Sequence, residues 1–192
     1  MPRKTEEWAV LAEVGEAGRQ LAGPGVDVRT FAESLVRAGH HVDAVRLMAH
    51  LLPRREGVLW AWACAKKSGI PVTPPAASSL AATEKWIAEP SDENRRAAMD
   101  AAQKAGTATP EGAAGLAAFL SGGSLAPPGA PAVAPAEPLA AKAVAASVML
   151  SAISLEPEKS GTKYSEFLMR GFEVAQRIHL WERLLAPGVM ES

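Results

Sequence analysis

The chain has 192 residues, enough for one sizeable domain that buries a core without disulfide or metal staples. Hydrophobic residues make up 48% and charged ones 21%, a globular balance that excludes wholesale disorder, and a net charge of −1 gives no field to draw in nucleic acid. Aromatic residues are only 5% of the chain, so its core is expected to be mostly Ala, Leu and Val anchored by a few large rings.

Apolar positions recur near every 3.6 residues throughout, and alternating β-branched runs are almost absent, so the chain reads as all-α. Trp8, Leu11, Ala12 and Gly15 begin the stripe of a first helix that Gly23, Pro24 and Gly25 close. Asp27 is placed to cap a second helix, in which Val28, Phe31, Ala32, Leu35 and Val36 keep the spacing of one face and Gly39 marks the end. A third helix over Val42 to Leu52 follows so closely that an antiparallel hairpin is expected. Pro53 suits the start of a fourth helix. From Gly57 to Ala65 this helix is apolar all round, with Arg54, Arg55, Glu56, Lys66 and Lys67 confined to its ends, the pattern of a rod in the middle of a core. Trp60 and Trp62 lie on different sides of it and form no aromatic cage.

A fifth helix is expected to about Glu89, a sixth from Ser91 with Asp92 and Glu93 in its first turn, and a seventh from Thr109, Pro110 and Glu111 to Gly122. The stretch SGGSLAPPGAPAVAPAEP over 121–138 breaks both helix and strand and favours extended geometry at ~3.1 Å per residue, long enough to cross the face of a small domain. Ala140 to Ser154 and Tyr164 to Leu185 are then expected as a terminal hairpin. The expected organisation is an N-terminal helix and Gly/Pro turn over 1–25, a core of stacked antiparallel helical hairpins over 26–121, an Ala/Pro linker over 122–138, a C-terminal helical hairpin packing back on the core over 139–186, and a tail over 187–192.

Residues that carry chemistry are few. His40, His41, Asp43 and His50 lack the spacing of a dependable ligand pair, and His179 stands alone, so no metal is expected. Cys64, between two alanines in the most apolar helix, reads as an inert core thiol and has no second cysteine to pair with. The glycines between Ser121 and Ser124 follow a helix and lack the Lys-Ser/Thr pair of a phosphate loop. Lys66, Lys67, Arg95 and Arg96 suit helix-dipole compensation and i, i+3 or i+4 pairing with Asp92, Glu93 and Asp100. A DNA-reading helix-turn-helix over Val28 to Leu52 would need a cationic face that Arg46 and the histidines do not supply. No catalytic constellation and no cofactor motif emerge. Leu139 to Leu155 is the most membrane-like run, but at about 17 residues and with Lys142 inside it, it reads as a core helix. No secretory leader is visible over Met1 to Val14, so the cytoplasm is expected.

The segments AGHHVDAVRLMAHLLP, LPRREGVLWAWACAKK, WIAEPSDENRRAAMDAA and GLAAFLSGGSLAPP, in this order and spacing between Val26 and Leu185, resemble an uncharacterised family of small bacterial helical proteins. Genes of that family lie near type VI secretion and forkhead-associated-domain genes, and the resemblance implies an accessory or adaptor role without assigning any residue. A vaguer likeness to tetratricopeptide or HEAT hairpins rests on Leu35, Ala38, Gly39, Ala44, Leu47 and Pro53 and is not sustained at one period. The expectation is a non-enzymatic adaptor that binds another protein, with no nucleic acid and no membrane, through His40, His41, Arg54 and Arg55. The rival is an enzyme or small-ligand protein whose only polar cluster would be His50, Arg54, Arg55 and Glu56.

Overall fold

The structure, a computed structural model, describes residues 3–185. Among these the chain forms eleven α-helices and one short 3-10 turn with no strand, the all-α class that the periodicity predicts. The helices fall into two compact units, the first made of residues 3–52 and 161–185 and the second of residues 53–160.

The first unit begins with α1 (Thr5–Leu11), α2 (Glu16–Arg19), α3 (Val28–Arg37) and α4 (His41–Leu51). Asp27 caps α3 as expected: its carboxylate accepts the Thr30 N–H at 2.9 Å and the Thr30 hydroxyl at 2.7 Å. These bonds hold the carboxyl below its ordinary range. Phe31, Ala32 and Leu35 are fully buried. The helix closes on Gly39, at φ +77, whose N–H reaches Val36 O while the His40 N–H reaches Leu35 O; this double bond pattern turns the chain directly into α4.

The expected first helix is in fact two. α1 ends in the same bond pattern, with Glu13 N–H on Val10 O and Val14 N–H on Ala9 O, but here Glu13 itself takes the left-handed φ of +52. Side chains hold the turn in place. Arg46 donates to Glu13 O at 3.2 Å, Arg19 to Val14 O at 2.6 Å, and Asp43 accepts the Gly15 N–H at 3.1 Å, so α4 and α2 supply partners that the local sequence does not reveal.

The second unit contains α5 (Arg54–Lys66), α6 (Pro74–Ala88), α7 (Asp92–Ala105), α8 (Pro110–Leu120) and α9 (Pro138–Ile153), followed by the 3-10 turn Pro157–Lys159. Thr73, Ser91 and Thr109 cap α6, α7 and α8 by accepting the N–H three residues on. Its centre is α8, which packs on α5, α6, α7 and α9, whereas the sequence points to α5. Trp60 is indeed fully buried, but Trp62 is only partly buried, donating its indole N–H to Leu80 O at 3.1 Å beneath the Lys66 ammonium. Four neighbours fit around α8 because its buried residues include Gly112, Ala113, Ala114, Gly115, Ala117 and Ala118. A Cβ at Gly112 would stand 2.0 Å from Gly106 O, and one at Gly115 would stand 2.9 Å from Ala98 O. The Ser79 and Ser147 hydroxyls donate to Glu111 O and Pro110 O from α6 and α9, at 2.9 and 2.8 Å.

The first unit is completed by α10 (Ser160–Arg177) and α11 (Leu180–Leu185). The expected single last helix breaks at His179, which takes φ +53. The expected terminal hairpin over 139–186 is also not one body: α9 belongs to the second unit, on α5 and α8, and α10 from Gly161 onward to the first. Residue 186 and the tail expected over 187–192 lie outside the described residues. No single helix among the described residues is long and apolar enough to cross a membrane.

Candidate functional site

The four residues read as a partner surface divide between the units. His40 precedes α4 and its side chain makes no capping bond. The His41 ring stacks on Tyr164 with centroids 5.9 Å apart, and its Nε2 lies 3.5 Å from the Ser165 hydroxyl. Burial pushes the Tyr164 phenol up from its ordinary value.

Arg54 and Arg55, in the second unit, turn to different helix ends. Arg54 donates to Ser121 O at 2.9 Å, at the end of α8, while Arg55 donates to Ile87 O at 2.7 Å and Ala88 O at 3.4 Å, at the end of α6. Cations at the negative ends of helices, bonded to carbonyls that lack an intrahelical partner, stabilise the fold. The four-residue polar cluster of the rival reading is not assembled within one unit: His50 is in the first, and Arg54, Arg55 and Glu56 are in the second. Among the described residues no three of His, Cys, Asp and Glu come together as metal ligands do.

A more elaborate polar arrangement sits at the start of α7. Asp92 accepts from Arg95 Nε at 2.9 Å and from Arg96 Nε at 2.8 Å, which agrees with the pairing read from the helical spacing. Those bonds, Arg96 first and then Arg95, hold the Asp92 carboxyl below the usual carboxylate range. The arginines then reach beyond the helix. Arg95 donates to Phe119 O at 2.8 Å and Ser124 O at 2.9 Å, and Arg96 to Ser124 O at 3.3 Å and Ala126 O at 3.0 Å. Arg95 is buried, with its guanidinium 4.6 Å from the centre of the Phe119 ring. Gly123 is required beside it: the residue has φ +64, and a Cβ there would come within 2.8 Å of Arg95 Nε.

The latched segment is the Ala/Pro stretch. The Ser124 hydroxyl oxygen accepts from Ala126 N and Val133 N at 3.1 and 3.0 Å, and the Leu125 N–H donates to Val133 O at 2.8 Å, closing the base of a loop. Residues 127–134 are all exposed. Contrary to the expectation from its length, this loop does not cross a face. Arg54 at the start of α5 meets Ser121 at the end of α8, so α5 and α8 run in opposite directions. A Cβ at Gly69, just past α5, would stand 3.2 Å from Leu155, just past α9, so α5 and α9 run the same way. It follows that α9 is antiparallel to α8, and Ser147 opposite Pro110 agrees. At ~1.5 Å per residue, that pairing brings the end of α8 level with the start of α9. Residues 121–137 therefore join two neighbouring helix ends, a task for which about 2–8 residues suffice.

Sequence reasoning found the stretch and its lack of helix but missed Asp92, Arg95 and Arg96 as its anchors, because their acceptors lie beyond α7 in the chain. Residues 31–175 match a family described as a family of unknown function (DUF6931). No curated protein and no solved structure matches the chain.

Proposed function

The chain belongs to that family of unknown function, and from this premise we propose that it is a non-enzymatic adaptor that works by binding another protein, in the cytoplasm and without nucleic acid. The observation that carries the reading is the loop over 121–137. It is far longer than the connection from α8 to α9 requires, it is fixed at its base by two arginines, and its tip is exposed. Structureless loops longer than about 12–15 residues are uncommon in compact domains and are usually either functional or linker segments; one that joins adjacent helix ends and is bonded at its base has no linker's task. The resemblance to bacterial proteins encoded near type VI secretion and forkhead-associated-domain genes supports an accessory of such an assembly.

The test is co-purification of the full chain from its native host with mass spectrometry, beside a variant in which residues 125–133 are replaced by a short Gly/Ser turn. A single stoichiometric partner that is lost from the variant is expected. Recovery of the intact chain without any partner would refute the adaptor reading.

A further inference from the structure

The first unit is assembled from two stretches of chain, residues 3–52 and 161–185, that are joined covalently only through the whole of the second unit. Its C-terminal piece brings a large apolar share: Tyr164, Phe167, Leu168, Leu180 and Trp181 are all buried. Nothing in the packing of these side chains requires that α10 and α11 come from the same chain as α3 and α4. A second copy supplies the same residues, so exchange leaves the interior of the unit unchanged. The closed and exchanged forms differ at the connection between α9 and α10.

That connection is exposed at residues 153–155 and 157–159. Pro157 drives Glu156 out of helical backbone, to φ −134 and ψ 79, so α9 does not run on into α10. Two large aliphatic side chains stand in water there, Ile153 at 41% exposure and Leu155 at 46%. Gly69 lies against Leu155, and Val72, three residues further on, is 55% exposed, which extends the patch within the second unit. Three such side chains are too few for a docking face of their own, since a specific interface buries about 1,200 Å² of total surface or more. Exchange supplies the rest, because the buried faces of both α10–α11 segments join the interface. About a two-fold axis each hinge passes beside the other, which brings the two patches together and out of water. We propose that two copies of this chain form a dimer by exchanging α10 and α11, hinged at residues 154–159 and sealed by Ile153 and Leu155. His41 of each copy then stacks on Tyr164 of the partner subunit. The proposal does not rest on the adaptor reading.

The experiment measures the mass of the full chain by size exclusion with light scattering over a range of concentrations. It adds the double variant His41→Cys, Ser165→Cys, at positions whose natural side chains approach to 3.5 Å, treated with a short bismaleimide and run on a denaturing gel; Cys64 is buried away from the reagent. A dimer in solution and a covalent dimer on the gel are expected. The variant Ile153→Ser, Leu155→Ser, with its fold checked by circular dichroism, should dissociate about tenfold or more readily. A monomer at every concentration, or a dimer that gives no covalent dimer on the gel, overturns the proposal. Unchanged dissociation of the serine variant overturns it as well, since the hinge then does not seal the pair.

Discussion

In the first unit, α3 and α4 bury Phe31, Leu35, Leu47 and Met48, large side chains fully out of water; at the centre of the second, α8 offers its neighbours mainly glycine and alanine. A large apolar side chain contributes roughly 1.5–3 kcal/mol when buried, so the first unit gains from area. The second gains from proximity. Its helices approach until backbone meets backbone, with many close contacts and serine hydroxyls bonded to carbonyls of the adjacent helix. One unit should therefore be vulnerable to lost carbon and the other to added carbon.

The sharpest way to break that contrast is Phe31→Ala, expected to lower stability by about 4 kcal/mol in urea unfolding, since the ring is fully buried and leaves a cavity. Next comes the reverse change, Gly112→Ala. One added methyl, which would stand 2.0 Å from a backbone carbonyl, should cost about 3 kcal/mol despite the higher helix propensity of alanine. If Gly112→Ala proves neutral, close approach is not what holds the second unit together.

Gly39→Ala separates backbone conformation from packing, because nothing lies within 4 Å of the new methyl; the left-handed φ alone should cost about 1 kcal/mol in the same measurement. The smallest effect concerns the latch. The folded pKa of Asp92 is depressed, so its contribution is present above the unfolded value of about 3.9 and is lost as pH falls through the folded value. Amide protection in residues 122–126, measured relative to the intrinsic exchange rate at each pH, should fall on acidification through that range. Asp92→Asn should remove this pH step while leaving the arginine bonds to Phe119 O and Ser124 O in place.

How far these features were legible follows from the same contrast. The α3 stripe stands out against polar neighbours, and Asp27 and Gly39 act within a few residues of themselves, so that hairpin could be read directly. An alanine-rich helix such as α8 shows no contrast between its faces, which is why Trp60 and Trp62 drew attention to α5 instead. Arg54 and Arg55 look free in a sequence because their acceptors, Ser121 O and Ile87 O, are 67 and 32 residues away. The Ala/Pro segment was plain as a break in helix. Its excess length appears only when the directions of α8 and α9 are known.

The division of the chain also sets an order of events during synthesis. Residues 53–160 form one uninterrupted stretch, so the second unit can close as soon as it has emerged from the ribosome. The first unit must wait, since the Tyr164 ring on which His41 stacks and the Trp181 ring beneath Arg29 are translated more than a hundred residues after their partners. Until then His41 and Arg29 lack these ring partners, and chains arrested before Gly161 should carry a closed second unit beside an incomplete first one.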